Sequence, residues 1–174
     1  YLFIKHNSIL PAMFIELSAG VSKYKQNKEY IHLGLDCSGY IGWLLYNIFQ
    51  DKGYVDFSRK IANNLATENK GKVKKAKYIT EYKAGDIMSG ESVSHVWLSL
   101  GPCNDGSVVI LHSSPSGVHI SGTPTPKGIE NSQAIDLANE YMDRYYPVWN
   151  KKYPVKPFDY LGKYSQFRWY DNVL

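Results

Sequence analysis

The chain has 174 residues, 44% of them apolar and 21% charged, which sets it among globular proteins with room for one domain and its core but not for two. Its formal charge of +4 is modest, and the lysine stretch Lys70, Lys72, Lys74, Lys75 and Lys77 has no interleaved aromatic residues for base stacking, so no nucleic-acid partner is expected and the stretch reads as a solvated loop. No apolar run approaches the roughly 18–20 residues of a membrane span, so none is expected, and two cysteines without a Cys-x-x-Cys pair exclude a disulfide framework and a cysteine zinc site.

The sequence opens at Tyr1 with neither an initiating Met nor a basic, apolar and small-residue leader, so a piece of a longer protein is expected. Apolar residues from Leu2 to Leu17 predict a helix that begins after Pro11 and stops at Gly20, and the polar stretch Val21 to Gly34 reads as a loop. Behind Asp36-Cys37-Ser38-Gly39, the residues Ile41, Leu44, Leu45 and Ile48 keep the i, i+3, i+4, i+7 spacing of a buried helix face. This helix is expected from Cys37 to Gln50, ending near Gly53, and a second one from Phe57 to Asn69.

Strand signals follow. Ala84-Gly85-Asp86 turns into a short strand, and Val93 to Leu100 and Val108 to His112 read as antiparallel neighbours joined by the Gly101 to Gly106 loop, with Gly117 to Ser121 next. A helix from Ser132 to Tyr145, a proline-punctuated aromatic loop and a last strand from Ser165 to Tyr170 complete a single α+β domain spanning 1–174. Residues 123–164, inserted before that strand, hold too much proline to bury a core of their own and are expected to wrap the main body or rim a cleft.

One thiol stands where chemistry is expected. Cys37 at a helix start meets free backbone N–H groups and the positive end of the helix dipole, which favour a thiolate. That end is worth roughly 0.3–1 kcal/mol, while each unit of pKa depression needs about 1.36 kcal/mol, so lowering the thiol well below neutrality requires a cationic partner. His95 follows Cys37 by 58 residues (95 − 37) and opens a strand; His112 follows His95 by 17 (112 − 95) and ends the next one. Neighbouring strands can set both imidazoles beside one helix end, which supplies a nucleophile, a base and a group to hold the base in one tautomer. The same residues also have a plain reading, a packed cysteine and two satisfied strand-end histidines. His6, His32 and His119 are expected at the surface or in packing, Cys103 in a loop without a role, and neither a metal nor any other cofactor is called for.

Asp36-Cys37-Ser38-Gly39 before an apolar helix, Ala84-Gly85-Asp86-Ile87 before a strand, Ser94-His95-Val96-Trp97-Leu98-Ser99-Leu100-Gly101 and Leu111-His112-Ser113-Ser114 together resemble the NlpC-type peptidoglycan cysteine peptidases. The likeness covers about Pro11 to Ser121. It implies a papain-like fold with the nucleophile helix packed on a small antiparallel sheet, and Cys37, His95 and His112 as the catalytic residues. It further implies a peptidoglycan stem peptide as partner, an extracellular or wall-associated location, and cleavage of the amide between D-γ-glutamyl and a diamino acid. By the same likeness Tyr24, Asp36, Ser38 and Ser94 would seat the peptide's free amino end, with Tyr30 competing for the role of Tyr24. The chain departs from the family in Lys25-Gln26-Asn27-Lys28 after that tyrosine, in Tyr40-Ile41-Gly42, and in the insertion. Two other functions stay open: an amidase or other amide hydrolase on the same fold, and an inactive wall-binding or assembly module.

Overall fold

The structure, a computed structural model, describes residues 23–26, 29–32, 36–50, 54, 56–115 and 117–173. The helix expected after Pro11 lies outside the described residues. Within the expected loop 21–34 two strands pair instead, β1 (Lys23–Gln26) and β2 (Glu29–His32), with Tyr24 opposite Ile31 and Gln26 opposite Glu29. Tyrosine and isoleucine favour strands, and the loop reading gave that preference too little weight against the surrounding lysines.

Helix α1 (Cys37–Phe49) begins as expected: the Asp36 carboxylate accepts the Gly39 N–H at 2.7 Å and caps it. It runs to Phe49 as expected, and Gln50 closes it by taking the left-handed conformation (φ 56°) and returning its N–H to Tyr46 O. Its buried face is Tyr40, Ile41, Leu44 and Leu45, whereas Ile48 is 46% exposed. Helix α2 (Ile61–Thr67) is shorter than expected, with a turn over Ser58 to Lys60 in front of it and a left-handed Asn69 behind.

The lysine stretch is not a loop. Its first part is β3 (Gly71–Lys74), whose Gly71 and Val73 turn inward while Lys72 and Lys74 face water, and a 3₁₀ turn follows over Ala76–Tyr78. The alternation of period two was present in the sequence and outweighed the charge. Strands β4 (Ile87–Gly90), β5 (Val96–Pro102), β6 (Val108–Ser114) and β7 (Gly117–Gly122) match expectation closely, as does α3 (Gln133–Tyr145), capped by Ser132. Inside the expected aromatic loop sits a further short helix, α4 (Pro147–Lys152), started by a proline whose missing N–H costs nothing in a first turn.

The last strand, β8 (Tyr164–Trp169), does not finish the sheet at an edge but enters between β3 and β4, giving the order β3-β8-β4-β5-β6-β7 with every pair antiparallel. A six-stranded antiparallel sheet with four helices among the described residues makes the chain α+β. One sheet face carries Ile87, Leu98, Leu111, Ile120 and Phe167 and is covered by α1, α2 and α3. Where α3 crosses β7, a Cβ on Gly122 would stand 2.6 Å from the Ala134 carbonyl carbon, so only glycine permits the approach. The opposite face carries Met88, Trp97, Val108, Ile110 and Tyr164, and side chains of irregular segments, Ile79, Tyr82, Phe158, Tyr160 and Leu161, pack over it.

Candidate active site

The site forms where α1 starts and β5 begins. A tight turn delivers the first histidine: Gly90 N–H donates to His95 O and His95 N–H to Val93 O, both at 2.9 Å. A Cβ on Gly90 would fall 2.1 Å from Val93 O, so this turn also requires glycine. Antiparallel pairing of Leu98 with Leu111 then carries the second histidine alongside, and His95 Nε2 lies 3.1 Å from His112 Nδ1. The two rings are nearly perpendicular, with centroids 5.3 Å apart.

Cys37 approaches from the other face, at the strand's end. The backbone N–H groups of Val96, Ser38 and Cys37 itself turn towards its sulfur, so the thiol sits against the residue that follows His95. A thiolate at Cys37 would lie within electrostatic reach of the hydroxyls of Tyr160 and Tyr164, whose rings lie 5.4 and 6.3 Å from that of His95. The structure thus brings His95 and His112 into contact at one end of the sheet and sets Cys37 against Val96, the residue after His95.

Burial dominates the electrostatics. It pushes the Cys37 thiol above its ordinary value, with the Asp36 charge adding to the rise and the three backbone N–H groups offsetting part of it. It lowers His95 to about 4. His112, wholly buried, falls to about 3, helped by the neighbouring charges of His95 and His119. A cationic histidine lowering the thiol was the sequence expectation, and the resting site is instead a neutral thiol beside neutral imidazoles. The reason is the aromatic cover over the histidines, which excludes the water an imidazolium needs. Phe158 lies edge-on to His112 with centroids 4.6 Å apart, and Tyr160 spans both histidines and Trp97. His112 Nε2 is buried with no hydrogen-bond partner among the described residues.

The remaining expected residues have local duties. Asp36 accepts hydrogen bonds from Ser38 Oγ and from the Gly39 N–H, so both side chains serve the helix cap. Ser94 is exposed one residue before His95. Tyr24 belongs to β1 by its backbone, and its side chain lies outside the described residues, as does that of Tyr30 in β2. Asp86 is 2% exposed and accepts from Arg168 Nε and Nη2, both at 2.8 Å, and from Gln166 Nε2 at 2.9 Å. The Asp86 motif therefore ties β4 to β8. Cys37 and Cys103 are both free thiols.

Sequence reasoning missed Phe158, Tyr160 and Tyr164 as site residues. Their signal is the density of aromatic residues in the insertion, which points to a wrapping or cleft-rim segment where specificity can lie without singling out these three rings. Among the described residues no group of three or more His, Cys, Asp or Glu is arranged to hold a metal ion, and no helix there is long and apolar enough to cross a membrane. The chain matches no known family model and no curated protein.

Proposed function

We propose that the chain is a cysteine peptidase of papain-like fold that cleaves peptidoglycan stem peptides at the D-γ-glutamyl-diamino acid amide, outside the cell or in its wall. The observation that carries this reading is the 3.1 Å contact between His95 Nε2 and His112 Nδ1 beside a helix-start thiol. Since Nε2 is engaged, Nδ1 of His95 is the nitrogen left to serve the sulfur. It is free to accept a proton when Nε2 carries the hydrogen and donates it to His112 Nδ1.

In this mechanism the thiol proton passes to His95 Nδ1 as sulfur attacks the carbonyl carbon and the C=O electron pair moves onto oxygen. The Cys37 backbone N–H at the start of α1 helps hold that oxyanion. Collapse breaks the C–N bond, His95 returns its proton to the departing amine, and water, activated by the same imidazole, releases the acid from the thioester. Burial that holds His95 at about 4 keeps the imidazole neutral throughout the physiological range and at the same time makes it a weak acceptor for the raised thiol. Tyr24, Asp36, Ser38 and Ser94 are proposed to seat the peptide's amino end.

Cys37→Ala is expected to abolish muropeptide hydrolysis while far-UV circular dichroism and the melting temperature stay those of the parent. Normal turnover by that variant sinks the mechanism. Mass spectrometry of the digest identifies the bond: products ending at the glutamyl residue mark the endopeptidase, intact released stem peptides the amidase. The raised thiol and lowered histidines also favour a second reading, an inactive wall-binding module. In that case wild type and Cys37→Ala bind wall fragments equally and neither cuts them.

A further inference from the structure

A cleft of about 100 Å³ opens beyond the histidines, walled by Ser114, His119 and Ser121 on the sheet and by Lys152, Lys156 and Phe158 from the insertion. The insertion is fixed there by backbone bonds along the outer edge of the sheet. Phe158 N–H donates to Gly122 O at 2.9 Å, Pro157 bridges Gly122, and Ser121 Oγ donates to Lys156 O. The cleft adjoins the candidate site directly. His119 pairs with His112 across β6 and β7, their ring centroids are 6.3 Å apart, and Phe158 touches both the cleft and His112.

The chemistry of its wall is one-sided. Two lysines line it beside Ser114 and Ser121, whose hydroxyls donate to Gly117 O and Lys156 O; no carboxylate lines it, neither lysine is ion-paired among the described residues, and Lys152 Nζ stands 5.1 Å over the Tyr153 ring. Such a wall suits an anion, and the volume holds a small group rather than a polymer segment.

Direction decides which part of a substrate reaches it. The histidine must give its proton to the leaving amine, so the amine-bearing half of the peptide departs on the imidazole side of the thiol, and the cleft adjoins the His119 end of the row His95, His112, His119. The row of rings from His95 to His119 is on the order of 10 Å long, a distance about three extended residues cover at about 3.3–3.6 Å each.

We infer that Lys152 and Lys156 form a subsite for a carboxylate of the leaving half of the peptide, held at the reach of about two to three extended residues from the scissile amide. This inference rests on the peptidase reading for its direction. The carboxylate has two sources in a stem peptide, the C-terminus and the side-chain carboxyl of the diamino acid.

The test is equilibrium binding to the Cys37→Ala protein, which needs no turnover. The probes are the pentapeptide L-Ala-γ-D-Glu-diaminopimelate-D-Ala-D-Ala, its C-terminal carboxamide, and the form amidated at the diaminopimelate side chain. Amidation at one of the two positions should weaken binding by about tenfold, some 1.4 kcal/mol, and the position identifies the source. In Lys152→Gln/Lys156→Gln the preference for that carboxylate should collapse to about one. Equal binding of all three probes, no binding by any, or a preference that survives the lysine substitutions overturns the subsite. Hydrolysis by the wild type is measured separately: failure there with the carboxylate preference intact removes the peptidase reading and leaves the anion site standing.

Discussion

The two faces of the sheet are built on different terms. One is covered by α1, α2 and α3, whose apolar positions recur at helical spacing and bury Ile41, Leu44, Leu45, Ile61, Leu65, Ala134 and Ala138. The other is covered by aromatic side chains from segments without regular structure, and these rings enclose His95 and His112. Regular helices supply a rigid, apolar support, whereas aromatic loops leave room for polar side chains and a cleft. The difference locates stability on the first face and the proposed chemistry on the second, with Cys37 reaching across at the sheet's end.

The largest effect expected from breaking this division is on the helix face. Phe167 is fully buried there, and Phe167→Ala should cost about 3–5 kcal/mol in urea unfolding while leaving activity per folded molecule unchanged. A comparable loss of turnover at full folding would erase the distinction between the faces.

Acid should act on the second face. His95 and His112 titrate at about 4 and about 3 in the folded chain against an ordinary 6.5, so as pH falls the unfolded chain takes up protons first. Their contribution is whole above about 6.5, declines as pH falls towards the folded values, and does not decline further below them. The loss is on the order of 5 kcal/mol for the wholly buried His112, with the half-buried His95 adding less. Denaturation midpoints of the wild type and of His112→Phe between pH 3 and 7 measure it, and the variant should show the smaller slope.

Tyr160→Ala sharpens the comparison further. Removing this half-buried ring should cost only about 1–2 kcal/mol, yet admit water to His95 and raise its pKa from about 4 towards the ordinary 6.5. The proton NMR titration of His95 reads that shift, and an unmoved value would mean that the sheet, not the loop, desolvates the imidazole. Smallest is Asp36→Ala, expected to cost about 1 kcal/mol by loss of the cap.

Much of the helix face was legible because burial repeats with the period of the element, and α1 and α3 were placed within a residue or two. The misjudged elements were those in which two local signals competed. In β3 the lysines masked an alternating strand, in β1 and β2 polar composition masked a hairpin, and in α4 a proline read as a breaker served as a first-turn residue. Asp36-Cys37-Ser38-Gly39 carried its helix start in its own spelling, since a cap is a contact within three residues.

The sequence by itself determined which residues could meet: a cysteine at a helix start, a histidine before one strand and a histidine near the end of its partner, in an α+β chain. Only the tertiary structure decided their charge and their surroundings. Protonation depends on desolvation, and the desolvating rings, Phe158 and Tyr160, lie 46 and 48 residues beyond His112 (158 − 112 and 160 − 112), in a segment with no periodicity to announce its path. Local interactions are written in local sequence, while a dielectric environment belongs to whatever part of the chain folds over it.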